Sequence, residues 1–233
     1  VEVCRWVMET NDRPNISLLF NSDEEVGSPE SVEISRKMVD GATLGLVYEY
    51  TDPEGSLKFG ARGTRWYNIK VTGKGGHAAY PENNKNPVDV VADIIRQAQR
   101  WNRPEEGQVV VATRLYGADT TNVVPDVAMV SFDVRVVDSW MFDEIDNNFR
   151  QLQCDDAFAI DVDLEVDMDA FRADWDGYPF RVAQEAAAAI GTTFNGIEAR
   201  GGSDMNRVGP GNKKVLEPMG AGGIGAHAPN SEE

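Results

Sequence analysis

Between residues 65 and 166 the spacing of apolar residues switches between strand and helix periods in an order that restricts the fold more than any other property of the chain. Residues 65–72 alternate as a strand, 87–101 repeat at helical spacing behind Pro87, and 109–115 and 128–137 are strands again. A second helix is expected over 139–152 and a last strand over 160–166. The order is βαββαβ. A unit of roughly 100 residues in this order closes into a two-layer sandwich by itself, so it predicts a domain of its own inserted into another.

The flanks read differently. A strand is expected over 16–20, a helix over 28–39 behind Ser28-Pro29-Glu30 as cap, first-turn proline and first-turn acid, and a strand over 44–50. Helix and strand in alternation predict an α/β layer with strand-end loops free for chemistry. An alanine-rich helix over 178–190 returns the chain to that layer, followed by a strand-poor, glycine-rich tail. The expected division is therefore 1–63 and 171–233 for an α/β domain, interrupted by the sandwich over 64–170. The first nine residues read as an amphipathic helix without an initiator methionine, and the last residues are polar after a glycine-rich run. The expectation is a fragment cut at both ends.

The chain carries 22 basic against 39 acidic residues, a formal charge of −17. That balance repels nucleic-acid phosphates and anionic lipid, so neither nucleic acid nor a membrane is an expected partner. With only two cysteines, Cys4 and Cys154, there is neither a disulfide framework nor a thiolate zinc site, and a cytoplasmic setting is expected.

Asp23-Glu24-Glu25 directly follows the apolar run 16–20. Three adjacent acids suit a solvated turn, but the carboxyl end of an α/β strand is also where such sheets place their sites. Neighbouring carboxylates on extended backbone point apart, so one can ligate a metal while the other faces a water beside it. The only two histidines, His77 and His227, lie in glycine-rich loops, where imidazole is either a turn residue or a metal ligand or oxyanion donor. Glu49 ends an apolar strand, either as a polar edge residue or as a second acid at the same sheet end. Gly201-Gly202-Ser203-Asp204 is a turn able to offer N–H groups and a hydroxyl to an anion. Asn122 and Arg135 lie on the sandwich, and the arginine fork suits a substrate carboxylate.

Phe20 to Ser28, Gly73 to Ala78, Asn122-Val123-Val124-Pro125 with Arg135, Gly201 to Asp204 and His227 occur in an order that resembles the two-zinc family of aminoacylase, acetylornithine deacetylase, succinyl-diaminopimelate desuccinylase and glutamate carboxypeptidase. The likeness spans essentially the whole chain. It implies that Glu24 is the general base for a zinc-bridging water, Glu25 and His227 ligands of one zinc, and Glu49 a ligand of the other. His77 would reach across a dimer interface to the tetrahedral oxyanion, with Asn122, Arg135, Gly202 and Ser203 contacting substrate. The implied reaction is hydrolysis of an amide or peptide bond in an N-acyl amino acid or small peptide, by a homodimer with two Zn2+ per subunit. The same donors accept Co2+ or Mn2+.

The family's first metal histidine and its metal-bridging aspartate come from a segment preceding the helix that opens this chain. Glu25 with His227 falls short of the three protein ligands usual for catalytic zinc, so the fragment alone is expected to be inactive. The alternatives are a non-catalytic dimerising homologue and a carboxylate-binding domain built around Arg135; in the second, Glu24 and Glu25 would oppose the ligand.

Overall fold

The computed structural model describes residues 15–211, 214–220 and 222, together with Arg5 and Glu9. The helix expected over 1–9 lies outside the described residues apart from Arg5 and Glu9, both of which are helical. Residues 16–20 are not a strand. Ile16, Leu18 and Phe20 are exposed, Phe20 to 85%, and no described segment pairs with them. An apolar run becomes a strand only where a neighbour supplies the ladder, and none of the described residues does so.

A single 3-10 turn, Glu24–Val26, leads to helix α1 (Val32–Asp40), which starts later than its sequence suggests. Ser28 does not cap it. The residue sits in the left-handed region at φ 57°, and its hydroxyl donates to Asp204 instead. Asp23 takes over the capping: its Oδ2 accepts the N–H groups of Glu30 at 2.8 Å and Ser31 at 3.1 Å.

The chain continues through β1 (Gly45–Leu46), β2 (Leu57–Ala61), β3 (Gly63–Thr72) and β4 (Gly76–His77) to helix α2 (Pro87–Ala98). Asn86 caps α2 by accepting the Val88 N–H at 3.2 Å, with Pro87 at the first helical position as its sequence predicts. Then come β5 (Gln108–Tyr116), β6 (Val123–Val124), β7 (Val127–Val136), α3 (Phe142–Arg150) and β8 (Ala159–Met168). Strands β5, β7, β3 and β8 form, in that order, an antiparallel sheet.

Alternation decides which face of that sheet is dry. Tyr67 lies opposite Phe132 and Ile69 opposite Val130, and these side chains pack against Ile94 of α2 and Phe149 of α3. The other face is polar: Asn68 Nδ2 donates to Glu165 at 2.9 Å, Arg114 reaches the same carboxylate at 2.9 Å, and Ser131 donates to Asn68 at 2.6 Å. This is the two-layer arrangement that the βαββαβ order predicts.

The tail is richer in structure than its composition suggests. After α4 (Tyr178–Ala189) it forms β9 (Gly196–Ala199), the short helix α5 (Asp204–Val208) and β10 (Val215–Leu216). Strand β9 pairs parallel with β2, and β10 pairs parallel with β1. Segments on either side of the four-stranded sheet are thus hydrogen-bonded to each other. Their core holds Ala61, Phe171, Met205, Val208 and Val215, beside an aromatic group of Phe59, Trp175, Phe180 and Phe194. Among the described residues no helix is long and apolar enough to cross a membrane.

Candidate functional site

Asp204 ties the acidic loop to the start of α5. Its two carboxylate oxygens are shared, Oδ2 accepting from Asn21 Nδ2 at 2.7 Å and Oδ1 from the Ser28 hydroxyl. These donors bracket Glu24 and Glu25, so the loop is held at both ends by one side chain. Gly27, at φ 87°, makes the turn where a Cβ would come within 2.9 Å of Arg207 Nη2, and the Arg207 guanidinium donates to the Gly27 and Asp167 carbonyls.

One residue away, Ser203 joins the same turn to Glu217. Its hydroxyl donates to Glu217 Oε2 while its oxygen caps α5 by accepting the Met205 N–H at 3.2 Å. The Asn206 side chain closes the capping box on Ser203 N–H at 3.0 Å. Glu217 is 1% exposed and is neutralised by Lys58 Nζ at 2.8 Å from Oε1. The segment that carries Glu217, just beyond β10, runs on beside 47–49, where Met219 N–H donates to the Val47 carbonyl and Gly220 N–H to the Glu49 carbonyl, each at 2.9 Å. Hydrogen bonds therefore link the loop of Glu24 and Glu25, the turn of Gly202 and Ser203, and the segment of Glu49, which lies beyond the end of β1 and not on the strand expected over 44–50.

The electrostatics report the same convergence. Burial first, then the carboxylates of Glu49, Asp204, Glu25 and Glu217, push the Glu24 carboxyl up from 4.5 to about 7. Burial and then Glu217 raise Glu49, with Lys58 opposing them. Acids distant in sequence share one half-buried region.

The remaining expected residues fall into two further groups. His77, on β4, and Asn122, in the turn just before its partner strand β6, come together, with Ala78 N–H donating to the Asn122 carbonyl at 3.0 Å. Both side chains are exposed. His77 Nδ1 accepts the Ala79 N–H at 3.1 Å, so in the neutral ring Nε2 carries the hydrogen and is available as a donor. Among the described residues no hydrogen bond joins this pair to the acids. Arg135 is held by Asp133 through Nε at 2.8 Å and Nη2 at 2.9 Å, while Nη1 donates to the Arg200 carbonyl at 3.2 Å. That last bond places it against the Gly201–Gly202 turn, where a Cβ on Gly202 would come within 3.2 Å of Thr64 Oγ1. Thr64 is 3% exposed, and its hydroxyl has no partner among the described residues. His227 lies outside the described residues.

Several of these residues escaped the sequence reading. Asp204 stood inside a quoted motif without a role, and Thr64 looks like any strand threonine. Glu217 had a usable signal, an acid following the apolar pair Val215-Leu216, because a carboxylate in such a run needs a partner.

Carboxylates that repel one another are suitable donors for a divalent cation, and Glu25 and Glu49 would contribute them. Their number falls short. Among the described residues no group of three His, Cys, Asp or Glu is gathered closely enough to hold a metal ion. The described part alone does not make a zinc site.

A family model described as a peptidase dimerisation domain matches residues 59–156. Carboxypeptidase G2 of Pseudomonas sp. (strain RS-16) is 27% identical over 232 residues, covering 95% of this chain and 55% of that protein. An N-acetyldiaminopimelate deacetylase of Limosilactobacillus reuteri (strain DSM 20016) is 31% identical over 187 residues, covering 72% of this chain and 48% of that protein. The chain thus spans about half the length of the curated relatives it matches. Among solved structures, an M20 family metallo-carboxypeptidase from Sulfolobus solfataricus shares the fold at a TM-score of 0.69 and 17% identity, over 92% of this chain and 65% of that one. Sandwich, acidic loop and relatives agree, and the chain belongs to the M20 family of amidohydrolases and exopeptidases.

Proposed function

We propose that this protein hydrolyses an amide or peptide bond in an N-acyl amino acid or small peptide, in a metal-dependent reaction with Glu24 as general base. The observation that carries the reading is the hydrogen-bonded linkage of Asp204, Ser203 and Glu217, which gathers Glu24 and Glu25 from one segment and Glu49 from another. In this assignment Glu25, Glu49 and His227 are zinc ligands, their set completed by groups outside the described residues. A bound metal would supply activation of water. Glu24, half-buried beside Glu25, would take the proton from the water and pass it to the leaving amine. His77 Nε2 would donate to the developing oxyanion, and Arg135, Asn122, Gly202 and Ser203 would hold the substrate, Arg135 through a free carboxylate. Ser203 would serve by positioning the Gly202 backbone, because its hydroxyl is committed to Glu217 and its N–H to Asn206.

The division at 63/64 and 170/171, with the sandwich as the dimerising part of a homodimer, is supported by the pairing of β2 with β9 and by the match over 59–156. Strand β5 forms one edge of the four-stranded sheet and exposes Leu115 and Tyr116. The small cysteine count supports a cytoplasmic setting. A non-catalytic dimerising homologue is the second reading, favoured by the lack of a three-ligand group among the described residues.

The test is hydrolysis of a panel of N-acyl amino acids and dipeptides by the zinc-loaded full-length protein and its variants. Glu24→Gln should lower kcat by roughly 10²–10⁴-fold with bound metal unchanged. Glu25→Ala and His227→Ala should lose metal, and Arg135→Ala should raise KM. Turnover by Glu24→Gln at the unaltered rate would remove Glu24 from the mechanism; no turnover of any substrate by metal-replete protein would favour the non-catalytic reading.

A further inference from the structure

Where the four-stranded sheet joins the β2–β9 pair there is a cavity of about 120 Å3. Its walls come from the end of β2, from Val137 just beyond β7, from Arg172, and from Glu198 and Arg200 at the end of β9. Three of its lining residues are arginines, Arg62, Arg172 and Arg200, and one is an acid, Glu198. This runs against the composition of a chain with formal charge −17.

The three cations are not equivalent. Arg172 is spoken for: its Nε donates to Glu198 at 3.0 Å and its Nη1 lies 3.4 Å from Asp138, which fixes one wall. The guanidinium groups of Arg62 and Arg200 have no hydrogen-bond or ion-pair partner among the described residues. Their backbones are nonetheless pinned. Arg62 N–H donates to the Ala199 carbonyl at 3.0 Å, the Arg62 carbonyl accepts from Asn206 at 2.9 Å, and the Arg200 carbonyl accepts from Arg135 at 3.2 Å. Two arginines whose guanidinium forks are uncommitted among the described residues therefore line one small cavity on anchored backbone. An oxyanion accepts planar, paired N–H donation from a guanidinium fork. A cavity of about 120 Å3 has room for a phosphate or carboxylate group.

We infer that this cavity is a binding site for a small oxyanion, gripped by Arg62 and Arg200 with Arg172 as a fixed wall. The inference does not depend on the hydrolase reading, since none of these residues belongs to the acidic site. Because the walls belong to segments on both sides of the junction, an occupied site ties those segments together.

Calorimetric titration of the full-length, chelator-treated protein tests it, with inorganic phosphate in one arm and succinate in the other, at constant ionic strength against chloride. Saturable binding of phosphate or succinate is expected, weakened about tenfold or more in Arg62→Ala and in Arg200→Ala and unchanged in Arg150→Ala, whose site is elsewhere on the surface. Arg200 is exposed, so its variant should keep the wild-type melting temperature without ligand, which separates lost binding from lost folding. Preference between the two arms names the ligand as phosphate or carboxylate. Absence of saturable binding in both arms, or equal binding by the Arg200→Ala protein, overturns the assignment.

Discussion

Ser203 donates its hydroxyl hydrogen to Glu217, a carboxylate 1% exposed whose other oxygen lies 2.8 Å from Lys58 Nζ. The pair connects the turn before α5 to β2, and it makes Lys58 the counter-charge for a buried carboxylate that also faces Glu24 and Glu49. Removing one partner of such a pair costs about 3–5 kcal/mol, because the remaining charge is left uncompensated. Lys58→Ala should therefore lower the free energy of unfolding in urea by an amount in that range, and Glu217→Gln by less, since the amide still accepts from Ser203. If Lys58→Ala unfolds at the wild-type midpoint, Glu217 is not held as an anion by Lys58.

Phe149 of α3 touches three aromatic rings of the sandwich core, with centroids 4.6 Å from Tyr67, 5.0 Å from Trp101 and 5.3 Å from Phe132. It is 1% exposed. Truncating a buried phenylalanine removes its transfer free energy and leaves a cavity, about 3–5 kcal/mol together. Phe149→Leu should recover a large share of the loss seen in Phe149→Ala. Equal melting temperatures for Phe149→Ala and wild type would show that α3 does not pack as described.

The sandwich was legible because each of its elements buries one face against the others, and burial imposes period. Residues 130–136 alternate strictly, and the observed β7 runs from Val127 to Val136. The run over 16–20 misled because apolar content alone does not supply a ladder partner. Strands β2 and β9 went unread for the opposite reason: each is short, broken by or beside a glycine, and is defined by a partner more than a hundred residues away. In the candidate site the motif residues were legible as chemistry, while the groups that hold them, Asp204, Lys58 and Glu217, depend on tertiary pairing that no local pattern carries.

Arg103 grips Glu144 with two parallel bonds, Nη1 to Oε1 at 3.0 Å and Nη2 to Oε2 at 2.6 Å. The hydrogen bond from Arg103 is the main cause holding the Glu144 carboxyl below its ordinary value of 4.5. A folded-state value below the unfolded one means stability that is present above pH 4.5 and is lost as pH falls through the folded value. Arg103→Met should thus return Glu144 to the ordinary range in a carboxyl-carbon NMR titration. The difference in stability between the two proteins should be constant at neutral pH and shrink below pH 4.5. An unmoved Glu144 titration in the variant would assign the shift to something other than Arg103.

Among the described residues Asp204 is the side chain bonded at both ends of the acidic loop, to Asn21 Nδ2 at 2.7 Å and to the Ser28 hydroxyl. Ser28 is 2% exposed and occupies φ 57°, a conformation that costs a residue with a Cβ about 1–3 kcal/mol and persists only where neighbours impose it. Asp204 is among those neighbours. Asp204→Ala should release the loop, so the amides of 23–31 should exchange with solvent at least tenfold faster while those of β3 and β7, in the sandwich core, keep their protection. Ser28→Gly should behave differently, losing the hydroxyl bond but also the cost of the left-handed backbone, and its loop should exchange at a rate between the two. Uniform acceleration across loop and sheet in Asp204→Ala would mean global destabilisation, and Asp204 would then be a determinant of folding rather than the residue that sets the position of Glu24 and Glu25.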